Sequence, residues 1–336
     1  MKKDNDRIVV SIQCLTYNHV KYIRQCLDGF LMQQTDFRFE AIVHDDASTD
    51  GTADVVREYA EKYPDIVKPI LEKENVYSKH IPGLITKVVN ERCQGKYIAM
   101  CEGDDYWTDP LKLQKQVDYM EVHPECSLTC NRTKWYSEKH RRFVAEQYCR
   151  KGDGILSVKD VVYRRGLYIA TCSVVIRESV YANLPFYCKH SVVGDYPLQI
   201  FCALNGCVYY FDTVMSVYRR ETGASFMDKV PSFSNGRLRE KLNIMQNQLK
   251  VLDGFMQEYP QYQKVWKNVS SQYINKEVSF RRMSSKEYDN YVCFFSNYIT
   301  KYPFLWKLDL LLRKSPVCYF LHRIADRRFM PLLKKL

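Results

Sequence analysis

The 336-residue chain has no run of 18 apolar residues, so no membrane-spanning helix is expected. Its opening, MKKDNDRIVVSIQCL, has no long apolar region ahead of a small-residue cleavage site, and no secretory signal is expected. Glycine (13) and proline (12) are too few for a collagen-like or low-complexity chain. Cysteine is plentiful, at 13, yet no Cys-x-x-Cys pair occurs. Cys126 and Cys130 are four apart, but no His/Cys cluster lies nearby in sequence to complete a zinc site. Cys14, Cys101 and Cys172 sit in apolar, strand-like runs and read as small buried hydrophobes in a reducing cytosol. Gly-x-Gly-x-x-Gly and the P-loop pattern are missing, which removes most of the support for dinucleotide dehydrogenases and P-loop NTPases. Gly-x-Ser-x-Gly and His-Glu-x-x-His are missing as well.

What is present is an ordinary globular composition, 46% apolar and 26% charged. The net charge of +11 is unevenly placed. Residues 1–230 hold 31 basic and 31 acidic residues, while residues 231–336 hold 19 against 8. Residues 301–336 alone hold 9 against 2. A neutral body with a cationic tail suggests that the tail meets something anionic, or is a helical appendage with its Lys and Arg on the wet face. A boundary near residue 230, at Pro231–Gly236, divides a domain of residues 1–230 from a basic, aromatic-rich helical region, 231–336.

Strand and helix patterns alternate through the first 130 residues. Strands are expected at 8–15, 39–43, 66–71 and 96–101, and helices at 20–32, from Thr52 to about Tyr63, 82–93 and 110–121. Such alternation predicts a doubly wound α/β sheet, whose ligands bind outside the carboxyl ends of the strands. Three segments fall there: Thr16-Tyr17-Asn18, Asp45-Asp46 and Asp104-Asp105. Beyond residue 125 the pattern is mixed, with short strands at 127–131, 172–176, 208–211 and 214–218 and a helix at 195–204.

Adjacent carboxylates at a strand end suit a divalent cation. Mg²⁺ or Mn²⁺ needs only one or two protein carboxylates when phosphate oxygens and water supply the rest. Asp104 and Asp105, with Glu102 two residues earlier, offer such ligands. Read alone, each of these carboxylates could equally serve a turn or a helix cap.

Three stretches in order, VSIQCLTYNHVKYIRQCLDGFLMQ, EAIVHDDASTDGTADVVREYA and GKYIAMCEGDDYWTDPLKLQKQVDYM, resemble the family 2 glycosyltransferases with a GT-A fold, over roughly residues 8–225. The Glu-Gly-Asp-Asp-Tyr-Trp form is similar to that of bacterial enzymes that build capsule, O-antigen or other surface glycans. The resemblance implies a Rossmann-like mixed sheet flanked by helices, with a C-terminal helical extension. It implies that Thr16 and Tyr17 line the nucleotide base, and that Asp45, with Asp46 beside it, accepts a hydrogen bond from that base. It implies that Asp105 holds the metal, and that Asp104 serves the ribose and metal-bound water. Val193-Gly194-Asp195-Tyr196-Pro197-Leu198 resembles the start of the helix that carries the catalytic base, which makes Asp195 that base. Tyr218–Ser225 resembles a loop closing over the diphosphate, with Arg219 or Arg220 on phosphate and Glu221 where the family frequently has His.

The activity so implied is metal-dependent, inverting transfer of a hexosyl or related sugar from a nucleotide sugar, UDP-linked, to a glycan or lipid-linked glycan. Nucleic acid is not an expected partner. Two rivals remain. A sugar-nucleotide nucleotidyltransferase should carry a Gly-rich, basic segment after the first strand, where this chain has Thr16-Tyr17-Asn18-His19. A non-catalytic nucleotide- or glycan-binding module need not keep Asp195.

In the tail, Val317, Phe320, Leu321 and Ile324 fall on one helical face, with Arg323, Arg327 and Arg328 off it. That pattern suits an anionic membrane surface, placing a cytoplasmic enzyme peripherally on the inner face of the plasma membrane. It equally suits packing on the catalytic domain or on a second subunit of a homo-oligomer.

Overall fold

The computed structural model describes residues 7–79, 83–164, 168–223 and 238–277. The chain falls into two compact units, Met1–Val230 and Pro231–Leu336.

Among the described residues, the first unit is built on one ten-stranded sheet. Strands β1 (Ile8–Thr16), β2 (Arg38–Asp45), β3 (Val67–Leu71) and β4 (Tyr97–Met100) run parallel in the order β3-β2-β1-β4. Helices α1 (Ile23–Leu31), α2 (Thr52–Lys62) and α3 (Leu84–Asn90) connect them. Val10, Ser11, Ile12 and Gln13 are all buried, so β1 is covered on both faces, as crossover helices require of a central parallel strand. Ile23, Cys26, Leu27 and Phe30 recur at helical spacing and turn α1 onto that sheet.

Beyond β4 the sheet is mixed. A two-residue strand, β5 (Tyr106–Trp107), precedes α4 (Lys112–Val122), which leads into β6 (Cys126–Ser137). Strand β7 (Arg142–Gln147) folds back on β6, and β8 (Gly154–Leu156) and α5 (Val158–Arg164) follow. Next come β9 (Val175–Arg177), α6 (Glu178–Tyr181), α7 (Phe186–Lys189), α8 (Asp195–Leu204) and β10 (Cys207–Arg220). Strand β9 lies antiparallel between β4 and β6, while β10 is parallel to β6 and antiparallel to β5 and β8.

Where the sequence pattern suggests two strands, at 208–211 and 214–218, there is one. The pairing of β10 with β6 shifts register between Phe211 and Val214, so Asp212-Thr213 is a bulge and not a turn. The strand expected at 172–176 is a 3-10 turn, Thr171–Ser173, followed by β9. Helix α1 runs from Ile23, three residues later than the pattern suggests, after a turn in which the Tyr22 and Ile23 N–H groups share the His19 carbonyl.

In the second unit, α9 (Leu238–Glu258) and α10 (Gln263–Glu277) flank a 3-10 turn at Pro260–Tyr262. Phe255 stacks on Trp266 at 5.7 Å, and Trp266 Nε1 donates to the Tyr259 carbonyl at 3.2 Å. The apolar stripe from Val317 to Ile324 and the 301–336 cations lie outside the described residues. Among the described residues no helix is long and apolar enough to cross a membrane.

Candidate active site

Parallel register sets Thr16 beside Asp45, and β4 runs alongside β1 in the same direction. The three segments of interest therefore end at one edge of the sheet. Gly103 N–H donates to the Leu15 carbonyl at 2.9 Å, which carries the Glu102–Asp105 loop across the end of β1. A Cβ at Gly103 would stand 2.6 Å from Thr16 Oγ1 and 3.1 Å from His19 Nδ1, so only glycine allows this approach.

The two aspartates at the end of β2 are held differently. Asp45 accepts the Ser48 N–H at 2.9 Å and the Ser48 hydroxyl at 2.5 Å, closing a turn in which Ala47 has φ 58°. Asp46 accepts backbone N–H groups of Val76 at 2.6 Å and Tyr77 at 3.1 Å, so both of its oxygens tie down the loop after β3. Thr16 is buried, and its hydroxyl has no hydrogen-bond partner among the described residues. Tyr17 beside it is half-buried.

The carboxylates after β4 form a graded set. Asp104 is buried, with His19 Nε2 at 3.7 Å and the Thr222 hydroxyl donating at 3.2 Å to the same oxygen, Oδ2. Asp105 is fully buried. Its Oδ1 accepts the Arg219 N–H at 2.7 Å, while Oδ2 has no nitrogen or oxygen donor among the described residues. Burial, then the charges of Asp104 and Glu102, holds the Asp105 carboxyl well above the usual carboxylate range. Burial, then Asp104, with Asp195 contributing further, pushes Glu102 up to about 8. Glu102 Oε2 also has no partner among the described residues. Glu102 and Asp195 thus share one electrostatic site across 93 residues of sequence.

These leftover oxygens fit a hard divalent cation. Carboxylates that repel one another, with unsatisfied oxygens, are relieved by positive charge. Among the described residues no three His, Cys, Asp or Glu side chains gather as a ligand set, so a cation would rest on one or two carboxylates and draw other ligands from phosphate and water.

Asp195 opens α8, whose buried Tyr196 and Gln199 donate to the carbonyls of Val162 at 2.7 Å and Ile169 at 3.0 Å. The Asp195 carboxyl accepts the Tyr196 N–H at 2.7 Å, yet burial is the larger effect and pushes it up to about 6. A half-buried carboxyl near 6 is ionised at neutral pH and basic enough to take a proton.

Strand alternation separates the two arginines of β10. Arg220 is exposed and lies over the Trp135 ring at 4.9 Å. Arg219 is buried and faces the carboxylates, donating Nη1 to the Asp104 carbonyl at 2.6 Å. Its Nη2 bonds Gln25 Oε1 and its Nε pairs with Glu138 at 3.0 Å. The guanidinium is sandwiched by Tyr106 at 4.5 Å and Tyr22 at 5.0 Å. Sequence reasoning missed Gln25, Glu138 and Tyr22 here. Of the Arg219 partners, only Tyr106 carries a sequence signal, its place beside Asp105.

Three comparisons bear on identity. A family model described as Glycosyl transferase family 2 matches residues 11–183. An uncharacterized protein of Mycobacterium tuberculosis is 39% identical over 215 residues, which is 63% of this chain and 58% of that one. The chain thus spans a little over half the length of that relative. Staphylococcus aureus TarS 1–349, solved in complex with UDP-GlcNAc, superposes with a TM-score of 0.64 at 15% identity, over 93% of this chain and 87% of that one. The mannosyltransferase PcManGT of Pyrobaculum calidifontis, solved with GDP-Man and Mn²⁺, gives 0.51 at 13% identity, over 97% and 92%. At such identities the two structures show a shared fold, the mixed, helix-flanked GT-A sheet. The family match is the stronger finding: it spans 173 of 336 residues and contains the whole edge on which Thr16, Asp45 and Asp104 meet, so the chain belongs to glycosyl transferase family 2.

Proposed function

We propose that this enzyme transfers a sugar, with inversion, from a nucleotide sugar to a hydroxyl of a glycan or lipid-linked glycan in cell-surface polysaccharide synthesis. The observation that carries the reading is the meeting of Thr16, Asp45 and Glu102–Asp105 at one sheet edge, within electrostatic reach of Asp195.

Thr16, Tyr17 and Asp45 would hold the base, with Asp46 fixing the adjoining loop. Asp104 would take the ribose. Asp104 and the unsatisfied Oδ2 of Asp105 would hold Mg²⁺ or Mn²⁺, whose charge neutralises the leaving diphosphate. Asp195 accepts the acceptor hydroxyl proton as that oxygen bonds to the anomeric carbon and the bond to the nucleoside diphosphate breaks. With Asp195 as the one base of this reading, a single in-line displacement would invert the sugar. Arg219 holds the carboxylate loop from behind. Arg220, on the outer face, would reach a diphosphate only if the 221–223 segment turned it inward.

The UDP-GlcNAc complex of TarS and the GDP-Man and Mn²⁺ complex of PcManGT support a nucleotide-sugar donor and a metal, and they leave the base to experiment. Residues 231–336 are proposed as an appendage that brings the enzyme to an anionic membrane surface. Incubation with UDP- and GDP-sugars and Mn²⁺, reading release of the nucleoside diphosphate, tests the function. No release from any donor, with no binding of UDP or GDP, would overturn it.

A further inference from the structure

A cleft of about 750 Å³ adjoins the carboxylate loop. It shares Arg219 and Thr222 with that loop, but none of Thr16, Tyr17, Asp45, Asp46 or Asp195 lines it. Its walls come from the start of α1, from β5, and from the tip of the β6–β7 hairpin.

The charges in this cleft do not cancel. Glu138 is committed to Arg219 at 3.0 Å, and Glu221, which accepts the Ser137 hydroxyl, keeps its charge within reach of Lys139 and Arg220, so the lining cations Lys21, Lys139, Arg141 and Arg219 outnumber two carboxylates. Lys21, Lys139 and Arg141 are exposed on the cleft wall, and among the described residues none has a carboxylate within ion-pair distance. Between them stand Tyr136 and Phe143, edge to face at 5.4 Å. Two rim residues, Arg141 at φ 49° and Glu221 at φ 63°, hold left-handed backbone that non-glycine residues seldom adopt. Rings that can pack on the apolar faces of sugars, interleaved with unpaired cations, are the chemistry of an anionic glycan site.

We propose that this cleft is an acceptor subsite for a glycan chain bearing phosphate or carboxylate groups, with Lys21, Lys139 and Arg141 as its anion contacts. The inference rests on the transferase reading above. A donor seated along Thr16, Asp45 and Asp104 leaves the cleft to the second substrate, and Arg219 and Thr222 form the wall between them.

The test uses the full chain and two oligosaccharide probes of matched length, an oligouronate and a neutral glucan, with binding followed by calorimetry at 50 and 500 mM salt. The expected result is binding of the oligouronate only, weakened by salt. Lys21→Glu/Lys139→Glu/Arg141→Glu should weaken it at least about tenfold, while Lys139→Arg keeps it. The triple variant should release nucleoside diphosphate from the donor at the wild-type rate. Equal binding of the two probes, or an unchanged triple variant, would overturn the subsite. So would competitive displacement of the oligouronate by UDP or GDP, which would make the cleft the donor's own phosphate site. Failure of every nucleotide sugar to react would sink the transferase reading and leave the binding measurement intact.

Discussion

The backbone N–H of Arg219 donates to Oδ1 of Asp105 at 2.7 Å, joining residues 114 apart in sequence. The same arginine's Nη1 holds the Asp104 carbonyl, so the end of β10 fixes both aspartates at once. Arg219→Ala keeps the first bond and loses the others. It leaves Glu138 without its partner and Tyr22 and Tyr106 without the cation between them. Glu138 is 26% exposed, so losing this partly buried pair costs less than the about 3–5 kcal/mol of a fully buried one. Urea unfolding should show that loss, and Arg219→Lys should recover only part of it, since an ammonium cannot span three partners.

Gly103→Ala tests the closeness of the loop to β1. The added methyl meets Thr16 Oγ1 at 2.6 Å and Thr16 Cβ at 2.7 Å, so the carboxylate loop must move. A displacement of about 1 Å at such a site costs on the order of 10²-fold in turnover. Calorimetry with UDP and a donor-release assay should both fall, and an unchanged affinity would show that the loop has room to shift.

Asp195→Asn should cut transfer by about 10²–10⁴-fold while nucleotide binding stays within a few-fold. For the wild type, kcat/KM should fall tenfold per pH unit below about 6 and level off above about 7, because Asp195 must be ionised to act. A flat profile from pH 5 to 8 would assign the base elsewhere.

The same carboxyl sets a stability difference of defined sign. Its folded pKa, about 6, lies above the ordinary 3.8, so folding favours the protonated form. That contribution is present in full below pH 3.8 and is lost as pH rises through 6. Asp195→Asn should therefore match the wild type near pH 3.5 and exceed it at pH 7 by about 1–2 kcal/mol after allowance for partial exposure. Thermal melts at the two pH values read this directly.

Nucleotide affinity should depend on a divalent cation. Calorimetry with UDP, with and without Mn²⁺, should show a large loss in EDTA, and Asp105→Ala should remove the difference. Equal affinity in EDTA counts against a cation on Asp104 and Asp105.

Binding to vesicles tests the basic tail. The full chain should sediment with anionic but not neutral liposomes, at about 1 kcal/mol per basic residue near the surface, and less in salt. A chain ending at residue 300 should stay in solution. Binding that survives the truncation would place the lipid contact elsewhere.

Much of the sheet and the order of its motifs were legible in the chain itself. Buried parallel strands read as short apolar runs, and Gly51, Gly95 and the prolines punctuate the helices between them. Because parallel strands point one way, local pattern alone already put Thr16, Asp45 and Asp104 on a common edge. The helix at Asp195–Leu204 was equally plain, since Pro197 stands in its first turn and its apolar run is continuous. Periodicity could not reveal what depends on long-range pairing. The bulge at Asp212-Thr213 looks like a turn until β6 pairs on both sides of it. The facing of Arg219 rather than Arg220 depends on the register that this bulge sets. Burial, too, is a tertiary quantity: Asp46 and Asp105 read as equals of their neighbours until packing commits Asp46 to a loop and seals Asp105 behind Arg219. Sequence determined which chemical groups lie at the strand ends. Only the folded chain decided which of their oxygens were left over, because hydrogen bonding between residues 114 apart is closed by topology and not by local preference.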